Sequence, residues 1–310
     1  MELLALRWVL LSTLLSTSAS SSALHEGDLV SITVPMNMAP DSFDDQYEGC
    51  GQMMWNRLQM VNYTEFTKNY VYADGWRKAA AVWQKRGGHL SQPPLRREQA
   101  IAVLAYTAAS PLYQQLNAAT RQGGRSHQNY CFYFHFKTLH FLLTQALRSL
   151  RGFKPYCYHV YRGVGSIRFT AQRGTAVRFG QFTSASLRKE VALKFGQVTF
   201  FVIKTCYGVP IKQFSFYPSE DEVLIPPYEV FEVTNFSIVN GRSQIHLRSK
   251  GKKSKYNCEL LKCQGRQWGR GHQEVGLGLS PGLALHSLGC SNCSWGGSGH
   301  RERDPIPAAL

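Results

Sequence analysis

Across the 310 residues no Gly-x-Gly-x-x-Gly opens a helix and no Walker loop occurs, so neither a Rossmann nucleotide site nor a P-loop is indicated. Neither His-Glu-x-x-His nor Gly-x-Ser-x-Gly is present, which removes zincin and α/β-hydrolase chemistry. Cys290-x-x-Cys293 lacks the second half that a structural zinc site needs, and no metal is expected. No internal repeat is visible. Long apolar runs are also missing: Leu3–Leu15 is interrupted by Arg7 and Ser12-Thr13 and is too short to span a bilayer. Followed by the Ser/Ala-rich stretch Ser16–Ala23, it reads as a secretory signal over residues 1–23. Acidic residues are scarce, 20 against 35 Lys and Arg. The excess is local, with nine Lys/Arg and one acid, Glu259, between Arg242 and Arg270. Few aromatics accompany it to stack bases. It reads as a solvated terminal segment, or as one attracted to acidic surfaces, and no nucleic-acid partner is expected.

Eight cysteines are present, and in an exported chain they are expected to be bridged, although the count alone allows many pairings. Three sequons, at Asn62, Asn235 and Asn292, are compatible with the same route. Residues 24–155 read as mainly helical. Trp76, Ala79, Ala80 and Trp83 fall at helical spacing within Gly75–Lys85, Arg97–Thr107 carries a second buried face, and Phe132–Leu150 reads as a third helix. His135 and His140 in that third segment are expected to be core or boundary residues. From Tyr156 the texture changes to short β-prone runs punctuated by Gly and Pro, so residues 156–262 read as mainly strand. Helices first and strands afterwards indicate an α+β fold. Residues 263–310 are Gly-rich and aperiodic and read as a disordered tail.

Glu220-Asp221-Glu222 enters the β-prone run Val223–Ile225. In extended chain Glu220 and Glu222 share a face while Asp221 points away, which brings two carboxylates together. Such a pair repels itself and belongs to acid/base and glycosyl-transfer sites more often than to plain structure. Upstream lie Val160-Tyr161-Arg162-Gly163 and Phe182-Thr183-Ser184-Ala185-Ser186. In order and flanks, these three segments resemble the arginine-specific mono-ADP-ribosyltransferases of vertebrate cell surfaces and secretions, which share an Arg, a Ser-x-Ser and a Glu-x-Glu on successive strands. Within that group the chain looks most similar to the avian secreted enzymes. Arg173-Gly174, Val177–Phe182, Thr205–Gly208 and Glu222–Glu229 extend the likeness, which covers roughly residues 25 to 262.

The resemblance implies a helical region packed on a core of two small, roughly perpendicular β-sheets with an NAD cleft, and NAD (or NADP) as co-substrate without a metal. It implies Glu222 as the carboxylate that stabilises an oxocarbenium-like ribose and holds a ribose hydroxyl, with Ser184 positioning it. Arg162 would hold a phosphate and lower the pKa of nearby carboxylates, and the backbone at Gly163 would grip the nicotinamide amide. Phe195 matches an aromatic packed on nicotinamide. A guanidinium stays protonated, so a second carboxylate, Glu220, would orient it and take its proton, with Phe216 or Tyr217 stacking on it. The family bridges map onto Cys50–Cys258 and Cys157–Cys206, which leaves Cys131 without a partner. The chain ends His300–Leu310 without the run of about ten to twenty apolar residues of a lipid-anchor signal, so a secreted product is expected; the protein is also expected to be a monomer. Its acceptors would be arginine-bearing extracellular proteins or free guanidino compounds. Two other activities belong to the same residues: a predominant NAD glycohydrolase, in which water replaces the guanidinium, and an inactive NAD-binding relative.

Overall fold

The computed structural model describes residues 32–87, 95–152 and 156–263. The segments read above as a signal, as a terminal tail beyond Cys263, and the sequon at Asn292 lie outside the described residues. After a short strand β1 (Ile32–Pro35) come α1 (Gly51–Lys68), α2 (Tyr70–Lys85), α3 (Arg97–Thr107), α4 (Pro111–Gly123), α5 (His127–Tyr133) and α6 (Lys137–Arg151). Side-chain caps define several starts: the Asn69 side chain accepts from Tyr72 N at 3.0 Å, and Ser126 from Asn129 N at 3.0 Å. The third helix of the sequence reading is two helices, because Phe134-His135-Phe136 leaves the helical path between α5 and α6. His140 is fully buried, with its Nδ1 2.8 Å from the Tyr47 hydroxyl, and burial drives its pKa down to about 3. His135 is exposed.

Helix α3 is buried from Gln99 to Tyr106, apolar on nearly every side, and so forms the centre of the helical layer. The face of α6 bearing Leu139, Leu142, Leu143, Ala146 and Leu147 packs within the same core.

The second half supplies β2 (Tyr158–Val164), β3 (Ile167–Thr170), β4 (Ala176–Val177), β5 (Thr183–Ser186), the short α7 (Lys189–Leu193), β6 (Thr199–Thr205), β7 (Val209–Pro210), β8 (Glu222–Ile225), β9 (Glu229–Val239), β10 (Arg242–Lys252) and α8 (Glu259–Lys262). This is an α+β fold. Beyond the β1–β3 pair, the strands form one ladder in the order β4-β9-β10-β6-β2-β5-β8-β7. Where two small sheets were expected the eight strands are continuous, because β2 and β5 are joined, although only through the pair Tyr161 and Ser186.

The basic stretch read as a solvated segment is in large part the interior strand β10, antiparallel to β9 and parallel to β6. Ser243, Ile245 and Leu247 alternate inward while Arg242, Gln244 and Arg248 face out. That period-2 pattern is present in the sequence but masked by the charges around it.

Two apolar clusters flank the middle of the ladder. The helical cluster takes in Phe182, Phe214 and Leu224; the other is built from Val160, Ala185, Phe201, Val223 and Ile225 with β9 and β10. Strand β8 contributes to both and is buried along its whole length, which fixes its register and therefore Glu222 at its head.

The ends of the body are tied by the Cys50–Cys258 bridge and by Asp45, whose carboxylate accepts from the backbone N–H groups of Tyr47, Cys258 and Glu259. Arg178 pairs with buried Asp44 at 2.7 Å and donates to the carbonyls of Met38 and Lys253, which explains the arginine within Val177–Phe182. A second bridge, Cys157–Cys206, joins β2 to the end of β6, where buried Glu229 caps the turn through Cys206 N at 2.8 Å. Cys131 does have a partner, contrary to the expectation above: it is bridged to Cys263, so the ordered body includes that residue.

Candidate active site

Arg162 and Gly163 sit on β2, Ser184 and Ser186 on β5, Phe195 just after α7, and Glu220 and Glu222 at the entry to β8. All of them line one pocket, together with Tyr161 and Ala192. Three strands with no sequence adjacency are brought side by side by the β2–β5 and β5–β8 pairings, which set Ser186 between Tyr161 and Glu222.

The two glutamates converge for a different reason from the one expected. Glu220 ends a short 3-10 turn over Pro218–Glu220, and Asp221 follows in the left-handed region at φ 46°. An aspartate tolerates that conformation better than most residues. Strand alternation therefore does not apply to Glu220, yet Asp221 still points away, to Lys212 Nζ at 2.6 Å. The turn is clamped from β5: the Ser186 hydroxyl donates to Glu220 O at 2.6 Å and accepts from Arg188 N at 3.0 Å.

Glu222 is 7% exposed. Burial pushes its carboxyl up to about 7, and the charge of Glu220 pushes the same way. Hydrogen bonds from Ser184 and Ser215 and the Arg162 charge pull it down without cancelling the rise. Arg162 thus does not hold the carboxylates low as expected, because desolvation outweighs it. Burial also raises Glu220, against a smaller pull from Lys194. Two carboxyls both raised above their ordinary range by burial in one pocket are the kind of pair found at sites of acid/base chemistry.

Arg162 is half-buried and donates through Nη1 to Ser184 O at 2.6 Å, locking the guanidinium to the neighbouring strand. Gly163 is required by close approach: a Cβ there would lie 2.2 Å from Ala192 O and 2.3 Å from Gly196 O. Gly163→Ala is accordingly expected to lower stability by about 1–3 kcal/mol as α7 is pushed off β2, measured by thermal unfolding. Parental stability in that variant would contradict the packing described. Phe195, carried on the same α7 segment, is 51% exposed and presents an aromatic surface at the pocket.

Phe216 and Tyr217 are outside the lining. Phe216 is half-buried against the helical core, and the Arg86 guanidinium already lies over its ring at 5.9 Å, with Arg86 donating to Ser215 O at 2.9 Å. Tyr217 is 42% exposed on the turn. Of the two, Tyr217 retains an open face.

Three supporting residues had no signal in spacing. Ser215 is fully buried and donates to Glu222 Oε2 at 3.3 Å. Tyr106 on α3 donates to Phe182 O at 2.9 Å, accepts from Asn117 Nδ2 at 3.1 Å, and reaches the Ser184 side chain. Arg188 holds the Glu220 turn through Ser219 O at 3.3 Å. Tyr106 reaches the site only through tertiary packing, whereas Ser215 and Arg188 stand seven and two residues from Glu222 and Ser186 without a motif of their own. Taken together, the donor set offers a cation and backbone for a dinucleotide, an aromatic for a planar ring, and paired carboxyls for a developing cation and a proton.

The family model described as "ART: NAD:arginine ADP-ribosyltransferase" matches residues 36–255. Among curated proteins, the chain is 75% identical to NAD(P)(+)--arginine ADP-ribosyltransferase 2 of Gallus gallus, over the full length of both. It is 48% identical to the GPI-linked NAD(P)(+)--arginine ADP-ribosyltransferase 1 of Oryctolagus cuniculus, over 83% of this chain and 84% of that protein. Among solved structures, it superimposes on the eucaryotic mono-ADP-ribosyltransferase ART2.2 with a TM-score of 0.63 at 37% identity, covering 73% of this chain and 98% of that one. A mutant of the same protein in complex with NADH matches equally well, with a TM-score of 0.63.

Proposed function

The chain belongs to the NAD:arginine ADP-ribosyltransferase family, and we propose that the pocket between β2, β5, α7 and the turn before β8 is where it does its chemistry. The enzyme transfers ADP-ribose from NAD to the guanidinium of arginine and releases nicotinamide. In the reading offered here, Arg162 holds a phosphate of NAD through its planar fork while its other arm stays on Ser184. The nicotinamide lies by the Gly163 backbone and the Phe195 ring. As the glycosidic bond lengthens, positive charge builds on the ribose, and ionised Glu222, fixed by Ser184 and Ser215, stabilises it in a water-poor site.

Glu220 is half-buried and so more open than Glu222, and in this reading it is the carboxylate that meets the incoming guanidinium. Its carboxylate orients the acceptor and removes the proton that keeps the nitrogen non-nucleophilic. Tyr217, not Phe216, is the ring available to flatten against that guanidinium. The observation that carries the reading is the single pocket shared by Arg162, Ser184, Glu220 and Glu222. The test is transfer of label from ADP-ribose-labelled NAD to agmatine, measured beside nicotinamide release. Transfer supports it; release with no transfer would make the protein a glycohydrolase, and neither activity would make it a binding relative.

The buried carboxyl at Glu222 sets the pH dependence. With a pKa near 7 in the free enzyme, the ionised form is lost on acidification, so kcat/KM for NAD is expected to fall about tenfold per pH unit below that value. The cationic nicotinamide of bound NAD favours the carboxylate, so the acid limb of kcat should lie lower than that of kcat/KM. Coincident limbs, or a flat profile down to pH 5, would contradict the assignment.

We also propose an exported, monomeric protein, acting on arginine-bearing extracellular proteins or small guanidino compounds. Three bridges among the described residues support an oxidising compartment. No helix among the described residues is long and apolar enough to cross a membrane. The sequons at 62 and 235 are not equivalent. Asn62 is 7% exposed inside α1 and accepts from the Tyr72 hydroxyl at 2.5 Å, whereas Asn235 is exposed on β9. Glycopeptide mapping of protein from a secreting host is expected to find sugar on Asn235 and unmodified Asn62. A glycan on Asn62 would require α1 and α2 to separate.

A further inference from the structure

Away from the pocket, two short helices each present a pair of metal-type ligands one turn apart: His127 and Cys131 on α5, and Glu259 with Cys263 at the end of α8. Residues four apart share a helix face. The two faces meet, and the candidate ligand atoms of His127, Cys131 and Cys263 lie within 4.8 Å of one another. The cysteines are joined as a disulfide in this state.

The imidazole lies between a carboxylate and the bridge and would turn to become a third ligand. His127 Nδ1 is 2.5 Å from Glu259 Oε1, and Cys131 Sγ lies beside the ring, 3.5 Å from Nε2 and 3.9 Å from Nδ1. Glu259 is nearly buried and is itself steadied by Lys262 Nζ at 3.0 Å. A carboxylate held against one ring nitrogen is the support that a metal-bound histidine typically has. The sulfur-to-nitrogen separation also fits. With Zn–S about 2.3 Å and Zn–N about 2.05 Å, the edge of a tetrahedron between the two is about 3.5 Å. Opening the bridge requires the two sulfurs to move apart only to the corresponding edge of about 3.8 Å.

We propose that Cys131–Cys263 is a redox-gated zinc site: when the bridge is reduced, Cys131 Sγ, Cys263 Sγ and His127 Nε2 bind one zinc ion, with Glu259 holding His127 and the fourth position open to water. The chemistry balances with a thiol as reductant. Two thiols give two electrons and two protons, the protein S–S bond breaks, one S–S bond forms between the reductant molecules, and two protein thiols result. Zinc then displaces both thiol protons to solvent. In either state α5 stays cross-linked to α8, by a covalent bond or by the metal.

The test uses the full chain with Cys290→Ser and Cys293→Ser, held in a thiol–disulfide buffer with and without zinc, then alkylated and mapped by mass spectrometry. Zinc at ten times its dissociation constant is expected to raise the ratio of dithiol to disulfide at Cys131 and Cys263 about tenfold, since it binds only the open form. The Cys157–Cys206 ratio serves as the internal control and should not move. Glu259→Gln should weaken the zinc response about 10- to 100-fold, and His127→Ala should weaken it further. Cobalt(II) added to the reduced protein should give a thiolate-to-metal charge-transfer band that is absent from Cys131→Ser/Cys263→Ser. An unchanged ratio, an equal shift at Cys157–Cys206, or a response kept by both His127→Ala and Glu259→Gln would overturn the proposal. So would a reduced protein without the charge-transfer band.

Discussion

Glu222→Gln is expected to lower nicotinamide release and ADP-ribosyl transfer together, by about two to three orders of magnitude in kcat, with little change in the KM for NAD. Removing one preorganised group that faces developing charge has an effect of that size. Glutamine preserves the volume and the Ser215 and Ser184 contacts but carries no negative charge to oppose the ribose cation. The loss is in the transition state, so it appears in kcat and kcat/KM alike. The same variant relieves a cost in the fold. A carboxyl whose pKa is raised by burial contributes less stability as pH rises through about 7, so any gain in Tm for glutamine should appear at alkaline pH and vanish in acid. Separate rate measurements of both products, with NAD binding followed directly, check the assignment. A Glu222→Gln enzyme with a rate near that of the parent would remove Glu222 from the chemistry.

Glu220→Gln is expected to split the two products. Transfer to a guanidino acceptor should fall about 10²- to 10⁴-fold, the usual range for losing a general base, while nicotinamide release survives within about tenfold. Glu220 is half-buried on a turn and Glu222 is buried in a strand between two cores, so the two residues meet different parts of the reaction. Glutamine at 220 can still accept a hydrogen bond from the guanidinium, but it cannot take its proton. Rapid-quench measurement of both products in one reaction distinguishes this outcome from a general collapse of the site. Equal loss of both would place Glu220 in bond cleavage itself.

Much of this arrangement was legible in the residues. Helix α3 was bounded by its own pattern from Arg97 to Thr107, and β8 by the run after the acid triplet. Arg162, Ser184 and Glu222 could be named because each stands in a short flank that survives as text. What spacing could not supply was tertiary. Glu220 reaches the pocket through a left-handed aspartate, which alternation along a strand does not describe. Ser215 and Tyr106 act on the site from a loop and from a helix far away in sequence, and serine and tyrosine in such places look ordinary. Phe216 has the sequence position of an acceptor platform, but its ring is already covered by Arg86, a contact between residues 130 apart that no local pattern encodes. Strand β10 was hidden because its outward residues are strongly basic, although its inward Ser243, Ile245 and Leu247 alternate cleanly. Cys131 looked unpaired because its partner, Cys263, stood at the edge of the Gly-rich tail.

The central claim is a division of labour between two carboxylates in one pocket, Glu222 for making the ribose cation and Glu220 for directing it to a guanidinium. Its most direct test is the ratio of ADP-ribosyl-agmatine formed to nicotinamide released, followed as agmatine is raised, in the parent and in Glu220→Gln. The expected ratio climbs towards one in the parent and stays near zero in the variant while nicotinamide continues to appear. A Glu220→Gln ratio that climbs as the parent's does would contradict it.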